Sequence, residues 1–428
     1  QDYILNIIDI EERRFQETLE QGLNILREYL THFRETRILS GKAAFKLYDT
    51  YGFPLDLTKD ILDESGFSVD EKGFEKEMNL QKERARAARD SNNLASWEDT
   101  IYSTIDESIK TNFVGYDEFK ATSIVKVIIA NNKIVEKARE GEEVDIVLDK
   151  TPFYAESGGQ VSDIGSIISE DFILQVNDCK KVDNGNHIHL CKVIKGEVAL
   201  EDKCISQIDV SRRMSIARNH TATHLLHKSL KNTLGNHAEQ AGSLVGPDRL
   251  RFDFTHFDGL TRDEINTIEK EVNDIILESL SLEVIETDMV TAKSMGAIAL
   301  FGEKYESTVR VVKTGDYSVE LCGGTHLENT SQIGMFKIIS ESGIAAGVRR
   351  IEAISGEELY KYFLEKENLV NEVSDKLKTN EENLVKRIDS LLENMKNMEK
   401  EISTLKSRRT ATSLDHYLSK VKEVKGVK

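Results

Sequence analysis

Three prolines and four cysteines in 428 residues set the first limits on this chain. Proline locks φ and removes a backbone donor, so its scarcity points to long uninterrupted helices and strands rather than proline-rich linkers. Cys179, Cys191, Cys204 and Cys322 are too few and too scattered for a disulfide framework; they suit a reducing compartment and point to burial or metal binding. No apolar run approaches the roughly 18 residues that a membrane helix needs. The opening QDYILNIIDIEERRF also lacks the basic start, apolar middle and small-residue cleavage site of an export signal. A cytoplasmic location without membrane contact is the expectation. Positive charge is short as well: 57 Lys and Arg face 75 Asp and Glu, a formal net charge of −18. That argues against a generic nucleic-acid binder, because phosphate neutralisation needs clustered cations. Contact with a polyanion must then be local. The clusters are KERARAAR (Lys82 to Arg89), Arg212-Arg213, Arg349-Arg350 and Arg408-Arg409, and each alone reads first as a solvated face.

What is present divides the chain into four. Its length exceeds a single ordinary core, since domains cluster near roughly 100 to 200 residues. Phe15, Leu19, Leu23, Leu26, Leu30 and Phe33 recur at three- and four-residue steps, the stripe of an amphipathic helix. Gly41 is expected to end that stretch, Pro54 to break the next helix and Gly66 to terminate a third. Residues 1–112 are thus expected to be helical throughout. From Phe113 the runs SIVKVIIA, KIVEKA, EEVDIVLD, DFILQV and HIHLCKVI predict a small β-barrel over 113–211. Over 212–356, a helix carrying HTATHLLHKSLKNTL and a second, DEINTIEKEVNDIILESL, alternate with RLRFDF, LEVIETDMV, VRVVKT, YSVELC and MFKIIS, the pattern of an α+β domain. In 357–428, Leu384, Ile388, Leu391, Met395, Met398, Ile402 and Leu405 keep a heptad rhythm. Val370, Val373 and Leu377 are assigned to the same helix, with a phase slip near Asn380. A dimer seam, a two-helix hairpin and packing on the chain's own next helix all remain open. A strand is expected to begin in EVKGVK, so the chain reads as a truncated piece of something longer.

His220 and His224 lie four apart in a helical stretch, so both imidazoles project from one face about one turn apart. Alone, that pair also fits two hydrogen-bonded core histidines, and His227 shows that histidine is frequent here. Cys322-Gly-Gly-Thr-His326 then supplies a cysteine and a histidine at the same spacing, after a strand and around two glycines. Two such pairs complete a tetrahedron of one thiolate and three neutral imidazoles, which suits Zn²⁺ far better than calcium or magnesium. A buried cysteine with three hydrogen-bonded histidines is the other reading. A zincin peptidase would need Glu after the first histidine, where Thr221 stands, so proteolysis is set aside. Four protein ligands would close the coordination sphere as in structural sites, whereas a catalytic zinc keeps a position for water; both remain open. Phe153-Tyr-Ala-Glu-Ser-Gly-Gly-Gln160 is a polar loop whose Gly158 and Gly159 let backbone amides approach a ligand and whose Glu156, Ser157 and Gln160 offer donors and acceptors; a simple turn is the plainer reading.

HTATHLLH, CGGTH and YAESGGQ, with KLYDTYGFPLDLT (Lys46 to Thr58) and GIAAGVRRIEAISG (Gly343 to Gly356), closely resemble the alanyl-tRNA synthetase family nearly end to end. The resemblance implies hydrolytic editing: release of serine or glycine from mischarged tRNA(Ala), by a domain of the threonyl/alanyl-tRNA synthetase second-additional-domain type. It makes His220, His224, Cys322 and His326 the ligands of one zinc ion, and Thr223 and Gln240 the residues facing the aminoacyl group. Glu156, Ser157 and Gln160 become a covering loop on the substrate, with Arg349 and Arg350 as further substrate contacts. The opening helices would recognise tRNA, with KERARAAR contributing phosphate contacts, and the heptad helix would start a homo-oligomerisation region. The class II aminoacylation domain that precedes these helices in the family has no counterpart in these 428 residues. ATP, Mg²⁺ and alanine activation therefore belong only to the full-length enzyme. A free-standing editing protein and a threonyl-tRNA synthetase fit less well, because neither accounts for the opening helices. A different class of reading is a non-catalytic scaffold, stabilised by zinc, that binds tRNA and joins subunits.

Overall fold

In the computed structural model, the described residues are 2–33, 36–90, 101–182, 184–298, 308–345 and 347–418. They fall into two compact parts, residues 1–355 and 356–428.

The chain opens with α1 (Asp2–His32), α2 (Gly41–Tyr51), α3 (Leu55–Glu64) and α4 (Glu71–Asp90). Leu26, Leu47, Phe53, Leu62 and Phe74 make their core, with Leu19, Leu23, Leu30 and Phe33 packed against it. Phe15, placed on the apolar stripe from its spacing, is instead 54% exposed. Gly41 does not end α1 but starts α2: Ser40 caps the helix by accepting from Ala43 N, and a Cβ on Gly41 would lie 2.2 Å from the backbone of Gly73. Its role is close helix approach, not termination. The region is also not purely helical, because Ile38–Leu39 and Ser68–Val69 pair as a short parallel ladder. KERARAAR runs along α4, with its side chains from Glu83 onward outside the described residues.

The β-rich runs close into a six-stranded antiparallel barrel. Its order is Phe172–Lys181, Gly165–Ile168, Lys203–Ile208, Lys120–Ala130, Glu143–Leu148 and His187–Ala199, with the last pairing back to the first. Closure leaves no exposed edge among these six. Lys203–Ile208 shows why the sequence specifies it: Cys204, Ser206 and Ile208 point in and their neighbours out. Val125, Ile128, Ile146, Leu148, Phe153, Phe172 and Leu174 fill the interior. Cys179, Cys191 and Cys204 are buried there as free thiols. Burial pushes the first two well above their ordinary pKa and Cys204 up to about 12, so none is a ready thiolate.

Beyond the barrel, α5 (Val210–Leu234) is capped by Asp209, which accepts from Arg212 N, and is followed by Gly235 at φ +109°. It is buried on all sides from Thr221 to His227, so it packs as a central element rather than as a surface helix. Next to it α6 (Arg262–Leu277) opens with a reciprocal capping box between Thr261 and Glu264. A four-stranded antiparallel sheet runs Gln240–Val245, Leu250–Thr255, Val348–Ser355, Phe336–Ala345; a three-stranded one runs Leu282–Asp288, Thr308–Thr314, Ser318–Leu321. Leu225, Leu226 and Leu230 of α5 join Phe252, Phe254, Ile268, Val272 and Ile351 in one core. LEVIETDMV is strand only as far as Asp288, whose carboxylate caps the short α7 (Met289–Ser294).

In the second part, α8 (Gly356–Leu377) and α9 (Leu384–Leu418) are separate helices. The expected single helix breaks where Lys378 adopts φ +50° and Asn380 caps a 3₁₀ turn over Glu381–Asn383. The phase slip read near Asn380 is thus a break between two helices. On α9, Ile388, Met395, Met398, Ile402 and Leu405 of the heptad seam are exposed, while Leu384 and Leu391 are half-buried. EVKGVK lies outside the described residues, and no helix among them is long and apolar enough to cross a membrane.

Candidate metal centre and its cavity

His220 and His224 project one turn apart from α5, with their rings stacked at 5.4 Å. Cys322 and His326 come from the loop that follows Ser318–Leu321. The ligand atoms of all four lie within 4.8 Å of one another. Cys322 Sγ is 3.3 Å from His220 Nε2 and 3.2 Å from His326 Nε2. The loop passes this close only because residue 324 is glycine: a Cβ there would lie 2.0 Å from His220 Cε1.

Each ring is held through its other nitrogen. Gln160 Oε1 accepts from Thr325 N at 2.9 Å, so the 2.7 Å contact with His220 Nδ1 is donated by the ring. The Glu320 carboxylate, 2.6 Å from His224 Nδ1, can only accept. Thr221 Oγ1 lies 3.3 Å from His326 Nδ1 and also accepts from Leu327 N. With the δ nitrogens tied, the three ε nitrogens face one point, the outer-shell pattern that fixes ring orientation in metal sites. His224 Nε2 is buried there without a hydrogen-bond partner. An orphaned buried nitrogen is costly unless something is bound to it, and a thiolate with three imidazoles is a donor set for a tetrahedral transition metal.

The electrostatics favour a thiolate at Cys322. Burial raises the Cys322 thiol, but His220, His326 and His224 outweigh it and hold its pKa well below the ordinary value. Burial pushes His326 down to about 3, against the pull of Cys322. Burial also opposes charge on His224, yet Glu320 and Cys322 raise its pKa well above the ordinary value. Glu320 is buried too, and His224 and His227 nonetheless keep it below the carboxylate range.

The group opens on a cavity of about 370 Å³ lined by Ser157, Thr223, Gln240, Ser243 and Arg310 among others. Thr223 Oγ1 donates to Asn219 O at 2.8 Å, which turns its lone pairs toward the cavity, and Gln240 Nε2 donates to Ser243 Oγ at 3.1 Å. The polar loop runs beside the four-residue group: Gly159, at φ +80°, lets Gln160 pair beside Val245. Glu156 is exposed and does not line the cavity. Arg349 and Arg350 do not line it either; Arg349 pairs with Glu341 at 2.5 Å and Arg350 with Asp253 at 2.7 Å. Glu320, His227 and Arg310 were not singled out as site residues from the sequence. Strand alternation could have found Glu320, since Ser318, Glu320 and Cys322 share a face.

Two family descriptions match the chain: tRNA synthetases class II (A) over residues 1–212, and the threonyl and alanyl tRNA synthetase second additional domain over residues 309–352. Both are aminoacyl-tRNA synthetase modules, and the second contains Arg310, Glu320, Cys322 and His326. Among curated relatives, the alanine–tRNA ligase of Acetivibrio thermocellus is 50% identical over 427 residues, which is 99% of this chain and 48% of that protein. Those of Clostridioides difficile and Geobacillus kaustophilus are 48% and 47% identical over 100% of this chain, covering 49% and 48% of theirs. The chain belongs to the alanyl-tRNA synthetase family, and it spans about half the length of the curated relatives it matches.

Proposed function

We propose that this chain holds one zinc ion through His220, His224, Cys322 and His326 and hydrolyses the ester that joins serine or glycine to the terminal adenosine of mischarged tRNA(Ala). The observation that carries the reading is that the four-residue group opens on a cavity of about 370 Å³ faced by Thr223, Gln240 and Ser157; a metal that only ties a fold together needs no such space. The chemical need is clear, because a pocket for alanine cannot strongly reject glycine or a serine that adds one hydroxyl, so a second, hydrolytic site is required.

Bound zinc supplies Lewis acidity, which polarises an ester carbonyl or makes a water molecule acidic. The chain's own residues do the rest. Gln160, Glu320 and Thr221 fix the three imidazoles. Thr223 Oγ1 and the Gln240 amide oxygen accept from the substrate's ammonium group. Ser157 and Gln160 bring the covering loop over the cavity, with Glu156 on its outer side. Glu320 is committed to His224 and His227, so proton transfer is assigned to the free 2′- or 3′-hydroxyl of the terminal ribose.

In the same reading, residues 1–112 recognise tRNA(Ala), 113–211 form the barrel of the editing region, 212–356 its metal-bearing core, and 357–428 an arm whose heptad face joins copies of the protein. The whole cytoplasmic enzyme, with ATP and Mg²⁺, ligates alanine to tRNA(Ala). A second reading draws on the four protein ligands, which would close a tetrahedron as structural zinc sites do: a zinc-stabilised scaffold that binds tRNA without turnover. Release of labelled serine from Ser-tRNA(Ala) separates the two. The editing reading expects turnover that spares Ala-tRNA(Ala); the scaffold expects tRNA binding with no release.

A further inference from the structure

We propose that Arg310 is the binding residue for the 5′-phosphate of the terminal adenosine, an inference that rests on the editing reading of the same cavity. Arg310 stands on strand Thr308–Thr314 and lines the main cavity. It also lines a second hollow of about 270 Å³, beside Tyr116 and Phe119, so the residue borders both.

One terminal nitrogen of Arg310 donates to Cys322 O at 3.0 Å and to Gly324 O at 2.8 Å. The Tyr116 ring lies 4.2 Å from its central carbon, and Tyr116 itself donates to Gly323 O at 2.6 Å. These contacts brace the guanidinium against the metal-bearing loop. They leave Nε and the second terminal nitrogen with no acceptor among the described residues.

The charge of Arg310 is likewise uncompensated at close range. Arg213, which shares the second hollow with it, is by contrast paired with Asp163. Arg310 makes no ion pair among the described residues. Glu286 sits opposite it across the strand pair, but it is exposed to solvent and forms no ion pair with it. Glu320, the carboxylate in the cavity wall, is taken by two histidines. Among the described residues, Arg310 is the only Lys or Arg side chain lining the cavity. A half-buried guanidinium with a free edge is poised for the two oxygens of a phosphate. In a chain of net charge −18, it is also the feature of this cavity that attracts rather than repels a polyanionic strand.

The test uses the zinc-loaded chain and two non-hydrolysable probes, 3′-serylamido-adenosine with and without a 5′-phosphate, bound under titration calorimetry. The quantity read is the affinity ratio between the probes within each variant, which cancels any general loosening of the loop. Wild type should favour the phosphorylated probe by roughly 10- to 100-fold, the range of one charge-assisted contact. Arg310→Gln should bring the ratio to near one, and Arg310→Lys should restore part of it. A ratio near one in wild type, or an undiminished ratio in Arg310→Gln, overturns the assignment. Failure of wild type to bind either probe overturns the editing reading and the subsite with it, whereas binding of both probes equally overturns the subsite alone. Competition by inorganic phosphate against the phosphorylated probe alone would assign the site to free phosphate instead of the strand's own.

Discussion

The Glu320 carboxylate accepts from His224 Nδ1 at 2.6 Å, and that single contact turns His224 Nε2, buried and unpartnered, toward Cys322. Glu320 is in turn held by His227 at 3.2 Å and by Ser318 Oγ at 3.1 Å. The third histidine of HTATHLLH thus reaches the four-residue group through a carboxylate. Replacing Glu320 by Gln keeps the shape but removes the charge that fixes the ring. Zinc affinity should fall by about 10- to 100-fold, the usual effect of losing an outer-shell partner, as read by chelator competition. Unchanged affinity would mean that the contact is incidental.

Gly324 is where the ligand loop meets α5. A methyl group there would overlap His220 Cε1, at 2.0 Å, and the backbone or the ring must shift to relieve it. Gly324→Ala should therefore lose most of its bound zinc by elemental analysis while far-UV circular dichroism keeps its shape. Gly158→Ala, where a Cβ meets nothing within 4 Å but φ is +57°, should lose some stability to backbone strain and yet retain its zinc.

Arg213 and Asp163 join the start of α5 to the end of the polar loop. Both side chains are almost fully buried, at 3% and 1% exposure, and Arg213 also donates to Pro152 O at 2.9 Å. Asp163→Asn leaves a buried cation uncompensated and should cost about 3–5 kcal/mol in urea unfolding. An Arg213→Met, Asp163→Leu double variant should recover part of that loss. Additive losses would show that the pair is not coupled.

Acid stability has a separate source in the barrel. His189 Nδ1 donates to Ile146 O at 2.9 Å and its Nε2 lies 2.7 Å from the Thr151 hydroxyl, a fully satisfied neutral ring. Burial lowers its pKa from 6.5 to about 4, and that of His187 to about 3. In this range the unfolded chain binds more protons than the folded one. Stability is therefore fully present above pH 6.5 and is lost as the pH falls toward those folded values. His189→Gln should flatten the slope of unfolding free energy against pH between 6.5 and 4; an unchanged slope would put the acid sensitivity elsewhere.

The sequence made α5 and its histidines legible because helical periodicity alone sets which side chains share a face. The barrel was legible from alternation, as in Lys203–Ile208. Glu320 and Arg310 were not, because their importance depends on tertiary placement: strand Ser318–Leu321 must lie along α5 before Glu320 can reach both His224 and His227. Arg349-Arg350 stood out as a basic doublet, yet spacing does not reveal that Glu341 and Asp253 face them across the sheet. Gly41 read as a helix end for the same reason, since only the packing against Gly73 shows why it lacks a side chain. On α9 the heptad rhythm is real in sequence, and the phase slip near Asn380 marks the place of the break, but the left-handed turn at Lys378 that makes it is a backbone event the apolar pattern does not specify.

The central claim is that the metal group performs the hydrolysis. It is tested most directly by stripping the chain of metal with a chelator, adding zinc back in steps, and following serine release from Ser-tRNA(Ala). The account predicts that release is lost in the stripped chain and returns in proportion to zinc, reaching its plateau at one equivalent per chain. Equal release by the folded, metal-free chain would contradict it, and so would a fully loaded chain that binds tRNA but releases no serine.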